Sequence, residues 1–189
     1  MGSDKALLCW AGEPLIQHTL AGAREACGQV VICGPRSLYG KFGNVIEDAE
    51  PGHGPLSGIQ AALHATQSDL NLILSVDLPL MRAEFLTWLL QQARAGEQRV
   101  TAPEAQGRLQ PLCAVYHRDL VKIVDQAMTN RDFKVTRLFD RTTTRIIAEP
   151  ELRDAGFEAS IFTNVNTPED YESLLRTAST QPAGGSTHG

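Results

Sequence analysis

Asp77 and the glycine-rich segment that ends at Gly58 are where this sequence gathers groups able to do chemistry. Asp77 directly follows the most hydrophobic run of the chain, residues 71–76, and Pro79 ends that run's hydrogen bonding. A carboxylate held there, at a sheet edge beside a bend, suits a hard cation. Mg²⁺ prefers oxygen ligands, keeps several waters, and is usually held by one or two carboxylates together with substrate phosphates. An Asp in this position also commonly caps the next turn or helix, and position alone leaves both readings open. Residues 48–58, Asp-Ala-Glu-Pro-Gly-His-Gly-Pro-Leu-Ser-Gly, join an acid, Asp48, to a glycine-rich loop and a helix beginning around Pro55. Backbone amides at such a start can face a phosphate or the polar edge of a nucleotide. The glycines at 52, 54 and 58 do not make the dinucleotide-binding GxGxxG spacing, and a purely structural turn draws on the same residue types.

The remaining candidates are weaker as isolated residues. Lys5 stands beside Asp4, and a lysine there is ordinarily a solvated charge. Asn164 and Asn166 flank Val165, so on a strand they point to one side. Two amides on one face can hold a polar ligand or fasten the strand's exit to a neighbouring loop. The five histidines show no HxxxH or Cys/His metal spacing. No Gly-x-Ser-x-Gly elbow and no Cys-His pair speaks for acyl transfer.

These side chains need a scaffold. Short apolar runs at 29–33, 44–47, 71–76, 99–102 and 161–165 look like buried strands. Between them Ile16, Leu20, Ala23 and Cys27 keep helical spacing, as do Leu56, Ile59 and Leu63, and again Phe85, Leu86, Leu89, Leu90 and Ala93. Strand alternating with helix predicts an α/β fold of three layers with a mostly parallel sheet. Ligands in such folds bind at the carboxyl ends of the strands, and the segments Gly34-Pro35-Arg36, Asp48 to Gly58, Asp77-Leu78-Pro79 and Asn164-Val165-Asn166, each at the end of a run, are all polar or glycine-rich. Thr167-Pro168-Glu169-Asp170 is a helix start, with a hydroxyl cap, a proline whose missing N–H is no loss, and acid in the first turn. One domain is expected over residues 1–178. The polar, Gly-rich segment 179–189 reads as a frayed tail.

Composition bounds the functional classes. Of 189 residues, 42% are hydrophobic and 21% charged, which fits one globular domain. A net charge of -5 supplies no general basic field for nucleic acid or an anionic membrane, so an anionic substrate must be met locally. No apolar run approaches the roughly 20 residues that span a bilayer, and the first residues lack a signal-peptide layout. A cytoplasmic address is expected, and the four cysteines are read as reduced, mostly buried thiols.

Taken in order, Met-Gly-Ser-Asp-Lys-Ala-Leu-Leu at 1–8, Glu-Pro-Leu-Ile at 13–16, Val-Ile-Glu-Asp at 45–48, Gly-Pro-Leu-Ser-Gly at 54–58, Val-Asp-Leu-Pro at 76–79 and Phe-Thr-Asn-Val-Asn-Thr-Pro-Glu-Asp at 162–170 resemble the molybdenum cofactor guanylyltransferases, the MobA family. The last segment is the most specific part. The resemblance implies a Rossmann-like nucleotidyltransferase sheet and transfer of GMP from GTP to the terminal phosphate of molybdopterin, with release of pyrophosphate. It makes Lys5 a catalytic, phosphate-contacting lysine, Asp48 a nucleotide contact, and Asp77 a catalytic Mg²⁺ ligand. It sets Asn164 and Asn166 near the molybdopterin side. It further implies molybdoenzymes or their chaperones as recipients of the product. Another base, another phosphate acceptor, or a non-catalytic cofactor-binding role are the alternatives.

The chain departs from the family signature, which begins with a strand, Leu-Ala-Gly-Gly and an arginine ahead of the Met-Gly-x-Asp-Lys found here at 1–5. Those pieces are expected to be encoded upstream of Met1. A sheet without that strand would show unpaired ladder groups on both of its neighbours. Cys33-Gly34-Pro35 is a second departure, at a place where some relatives carry a nucleotide-touching asparagine.

Overall fold

The computed structural model describes residues 4–47, 52–139 and 143–180. After a 3-10 turn at Lys5–Leu7 the chain forms β1 (Cys9–Trp10) and β2 (Glu13–Pro14), then α1 (Leu15–Ala26), β3 (Ile32–Cys33), α2 (Arg36–Tyr39), β4 (Val45–Ile46), α3 (Pro55–Ala65), β5 (Leu70–Leu74) and α4 (Ala83–Ala95). The second half contains β6 (Val100–Ala105), β7 (Arg108–Leu109), β8 (Cys113–His117), α5 (Val121–Thr129), β9 (Thr144–Ile147), α6 (Glu149–Asp154) and α7 (Pro168–Thr180).

Three helical stripes form where the spacing places them, except that Cys27 caps the end of α1 and is only half-buried. Leu15, Ile16, Leu20 and Ala23 of α1 are buried, as are Leu56, Ile59 and Leu63 of α3 and all five apolar positions of α4. Helix α4 packs on one face of the sheet, where Phe85 meets Phe157 and Phe162 edge-on at 5.1 and 5.2 Å between ring centres. Helices α3 and α5 cover the other face. Side chains alternate across the sheet accordingly. Cys113 and Val115 of β8 point to the α4 side, and Ala114 and Tyr116 to the α3 side. Tyr116 is fully buried, and its hydroxyl donates to the Pro111 carbonyl at 2.8 Å, so the core holds no unsatisfied phenol there.

The expected α/β nucleotidyltransferase-like fold is the one observed, with local differences. Strands β3 and β4 pair parallel, as do β6 and β9. Between β5 and β6 lies β8, antiparallel to both. Its sequence, Cys-Ala-Val-Tyr-His, offers only one β-branched residue and no long apolar run, so patterning does not announce it. The run 161–165 is no strand. Ala159–Phe162 is a 3-10 turn, and the extended residues after it bond to a loop rather than to a strand. Phe162 and Val165 are buried there because they fill gaps against α4 and α1, a need that a short apolar run meets without any ladder. The thiol expectation also changes. Only Cys113 is buried, whereas Cys9 and Cys33 are exposed. Helix α7 runs on to Thr180, and the rest of the tail lies outside the described residues.

The sheet is split. Strands β3 and β4 form one pair, β5 belongs to a separate five-stranded sheet, and a cleft separates the two. Every residue of β5 is only half-buried, although the strand is apolar at four of five positions.

Candidate active site

The site is assembled at the end of β5, from three loops distant in sequence. Strand β5 ends at Leu74, so Asp77 lies in the following turn rather than directly after the strand. Leu78, 3% exposed, anchors that turn in the core. The Asp77 carbonyl accepts from the Val165 amide at 2.9 Å. Its carboxylate has no hydrogen-bond or ion-pair partner among the described residues. A capping Asp would spend that carboxylate on a nearby amide. Asp77 instead leaves both oxygens available, which is the donor chemistry a divalent cation takes up. Among the described residues no group of three or more His, Cys, Asp or Glu converges to hold a metal. A cation at Asp77 would therefore draw further ligands from water and substrate, as Mg²⁺ commonly does.

Val165 brings the second loop to the first. It is 2% exposed and packs with Leu15 and Leu174, so the residues on either side of it are held at the surface. Asn166 accepts through Oδ1 from Lys5 Nζ at 2.8 Å. Asn166 thus fastens Lys5, one of the two roles open to it. Asn164 is exposed and makes no side-chain hydrogen bond among the described residues. The premise that the two amides share a strand face falls with the strand.

Lys5 is gripped from its own side as well. Asp4 caps the 3-10 turn, accepting from the Ala6 amide at 3.0 Å through one oxygen and from the Tyr39 hydroxyl at 2.5 Å through the other. Burial and the Asp4 carboxylate push the Tyr39 phenol well above its ordinary range. Tyr39 sits in α2, which follows β3 after Gly34, whose φ of +148° brings the chain close under the Tyr39 ring. A lysine that looks like a solvated charge in the sequence is therefore held between two loops, its ammonium on Asn166.

Asp170 braces the Asn166 loop. Its Oδ2 accepts from the Asn166 and Thr167 amides, both at 2.9 Å, while Thr167 Oγ1 accepts from the Asp170 amide at 3.1 Å. This is a reciprocal capping box at the start of α7. Those two amides, with Lys5 nearby, hold the Asp170 carboxyl below the usual carboxylate range. A depressed folded pKa stabilises the fold above the unfolded value of about 3.9, and that stability is lost as pH falls through the folded value. Asp170→Asn should lower Tm at neutral pH, with the gap to the parent closing as pH falls through the depressed Asp170 value in thermal melts across pH. A constant gap at all pH values would show that the charge is irrelevant to the brace. Sequence reading noted Asp170 only as first-turn acid. The Thr-x-x-Asp spacing was the signal for its box, while nothing in the sequence points to Tyr39.

The glycine-rich loop enters α3 through Gly52 and Gly54, at φ of +97° and +71°, conformations that a side chain would strain. Pro55 is the first helical residue, and Ser57 Oγ is buried with no partner among the described residues. Pro55 and Gly58 border the cleft together with Cys33 and Ile46, so the first turn of α3 faces the ends of β3 and β4. Asp48 lies outside the described residues.

A three-layer α/β domain with a lysine turn, an Asp in the turn after a strand and a glycine-led helix start has the parts of a nucleotidyltransferase. Residues 1–146 match the family described as "MobA-like NTP transferase domain", and the chain belongs to that family. It is 30% identical over 178 residues to a "Probable molybdenum cofactor guanylyltransferase" of Carboxydothermus hydrogenoformans, covering 93% of this chain and 89% of that one. It is 32% identical over 174 residues to the protein of the same description from Deinococcus radiodurans, covering 92% and 86%. Among solved structures it resembles molybdopterin-guanine dinucleotide biosynthesis protein A of Archaeoglobus fulgidus, with a TM-score of 0.83 and 22% identity over 95% of this chain and 93% of that one.

Proposed function

We propose that this nucleotidyltransferase moves GMP from GTP to the terminal phosphate of molybdopterin and releases pyrophosphate. The observation that carries the reading is the junction at the end of β5, where the Asp77 turn is bonded to Val165 and the neighbouring Asn166 to Lys5. The relatives' description as molybdenum cofactor guanylyltransferases supports the choice of substrates.

The acceptor is a phosphate monoester with a second pKa of about 6, so at neutral pH it is already mostly the attacking dianion. No side chain has to remove a proton for this attack. Repulsion between two polyanions is the barrier, and the protein acts by neutralising charge and aligning attacker, α-phosphorus and leaving pyrophosphate. Asp77 would hold Mg²⁺, which would supply positive charge against the negative phosphates. Lys5 donates to phosphate oxygen from a position set by Asn166 and by the Asp4 cap. The amides at the start of α3 face the nucleotide, and Asp48 and Asn164 contact the nucleotide and molybdopterin respectively.

Pyrophosphate release in the presence of molybdopterin and Mg²⁺ should follow addition of GTP and stay at background with CTP. Equal use of CTP would sink the guanine assignment. GTP binding without any release would make the chain a carrier of nucleotide or cofactor rather than a transferase. Among the described residues no helix is long and apolar enough to cross a membrane.

A further inference from the structure

A stacked ring pair joins the glycine-rich entry of α3 to a second loop, the one that follows α5. The rings of His53 and Phe133 lie 4.3 Å apart between centres and only 18° from parallel. The topology explains how residues so far apart in sequence meet. Strand β8 begins beside the end of β5 and runs antiparallel to it, so it carries the chain away from the candidate site. Helix α5 brings the chain back. Near its start the Arg118 amide donates to the Asp69 carbonyl, just ahead of β5, whereas Phe133, shortly past its end, reaches the loop ahead of α3. Between these points Asp125 of α5 accepts from Gln60 Nε2 at 2.7 Å and lies 2.8 Å from His64 Nε2, which fixes α5 against α3.

The two rings are held very differently. Phe133 packs against the core cluster that α3 and α5 share. The backbone leading to it is secured at the helix end, where the Arg131 and Asp132 amides donate to the Met128 and Ala127 carbonyls at 3.0 and 2.9 Å. An ion pair from Asp132 to Arg137, at 2.7 Å, holds the same loop. His53 has a glycine on each side, both at positive φ, and the space beside each glycine Cα is open among the described residues. Glycine gives up more conformational freedom than any other residue when its backbone is fixed, so a side-chain contact is what can keep this short stretch in one form. Gly54 and Pro55 follow at once, and their backbone sets the direction of the first, unsatisfied amides of α3.

We propose that the His53–Phe133 stack is a latch that positions the nucleotide loop. Phe133, anchored beside α5, holds His53 and with it the entry of α3 in the form that presents the helix's first amides to a nucleoside triphosphate. This rests on the seat assigned above to the nucleotide at the start of α3. Both are positioning residues that act through the loop. With the latch open the loop spreads over several forms, and apparent affinity falls with the fraction that remains competent. The chemical step is unaffected once nucleotide is bound, because the bound complex has already selected that form.

The test compares Phe133→Leu, which keeps the apolar packing and removes the ring, with Phe133→Tyr, which keeps the ring. In proton NMR spectra of the full chain, the His53 ring signals, assigned by their loss in His53→Ala, should lie upfield in the parent and in Phe133→Tyr through the ring current of residue 133. They should move back in Phe133→Leu. Titration with GTP and Mg²⁺ should give a Kd about twofold to tenfold higher in Phe133→Leu and restored in Phe133→Tyr, the range expected for one aromatic pair. KM for GTP should rise in step while kcat stays within about twofold. His53→Ala should weaken binding as Phe133→Leu does, and the double variant no further, because the two changes remove one contact. Where Phe133→Leu lowers Tm, His53→Ala, which spares the core, carries the same comparison.

Unshifted His53 signals in the parent would overturn the latch, as would a Kd indifferent to loss of either ring, losses that add in the double variant, or a Phe133→Tyr that fails to restore binding. A fall in kcat at constant KM would overturn it in favour of a role in the chemical step. A parent that binds GTP yet releases no pyrophosphate would defeat the proposed reaction and leave the latch to stand on Kd and NMR. Intact transfer with a Kd indifferent to the ring would do the reverse.

Discussion

Asp77→Asn should reduce GTP-dependent pyrophosphate release by at least a hundredfold at saturating Mg²⁺ while leaving Tm within about a degree of the parent. The amide has nearly the carboxylate's shape but not the charge that attracts a divalent ion, and its nitrogen repels one. Stability should hold because the Asp77 side chain touches no partner among the described residues. The structural bond at this residue runs from the Val165 amide to the Asp77 carbonyl, which the substitution retains. GTP affinity measured without metal should be unchanged, and the metal-dependent gain in affinity should disappear. Turnover close to normal in Asp77→Asn would show the residue to be part of a turn and nothing more. A large fall in Tm would show that the carboxylate has a structural partner after all.

Lys5→Ala should lower kcat/KM by about tenfold to a hundredfold, the kinetic equivalent of losing one charge-assisted contact of roughly 1.5–3 kcal/mol. Lys5→Arg should recover only part of the loss. Its planar fork keeps the charge, but the ammonium is a compact point held 2.8 Å from a single amide oxygen, and a wider head cannot take up that position and reach the same phosphate oxygen. Asn166→Ala, which frees the lysine without removing it, should act in the same direction with a smaller effect. Thermal midpoints of all three should stay near the parent, since the Lys5–Asn166 bond is exposed and surface contacts of this kind contribute little to folding. Pyrophosphate release and melting curves on the three variants decide the matter. Unchanged release in Lys5→Ala and Lys5→Arg together would return Lys5 to the status of a solvated charge, and a loss confined to Asn166→Ala would assign the phosphate contact to the amide.

Periodicity made three core helices legible residue by residue. Apart from Cys27, which caps α1, the stripes of α1, α3 and α4 are buried where their spacing predicts, because a helix with one apolar face has a single way to remove it from water. The start of α7 was legible for a similarly local reason, since Thr167 and Asp170 satisfy amides within four residues of themselves. The run 161–165 was misread because burial, not pairing, is what an apolar run reports. Ile161, Phe162 and Val165 are buried as a strand's residues would be, but they are inserted against helices. Strand β8 went unseen for the converse reason: its place between two other strands buries Cys113, Ala114 and Tyr116 whatever their intrinsic preference.

What the sequence determined by itself was the stock of chemical groups and the short-range geometry around each: a lysine beside an aspartate, an Asp shortly after an apolar strand, glycines free to take positive φ ahead of a helix, and two asparagines flanking a valine. What only the tertiary structure decided was which of these meet. Lys5 and Asn166 are 161 residues apart, and no local pattern encodes their contact. It exists because Leu15, Val165 and Leu174 pack into one cluster, the Val165 amide binds the Asp77 turn, and Tyr39 holds Asp4 from a third element. Local hydrogen bonding and hydrophobic period act over a few residues and are written in the order of the chain. The convergence of a site comes from close packing of elements far apart in that order, and it is settled only when the whole core is assembled.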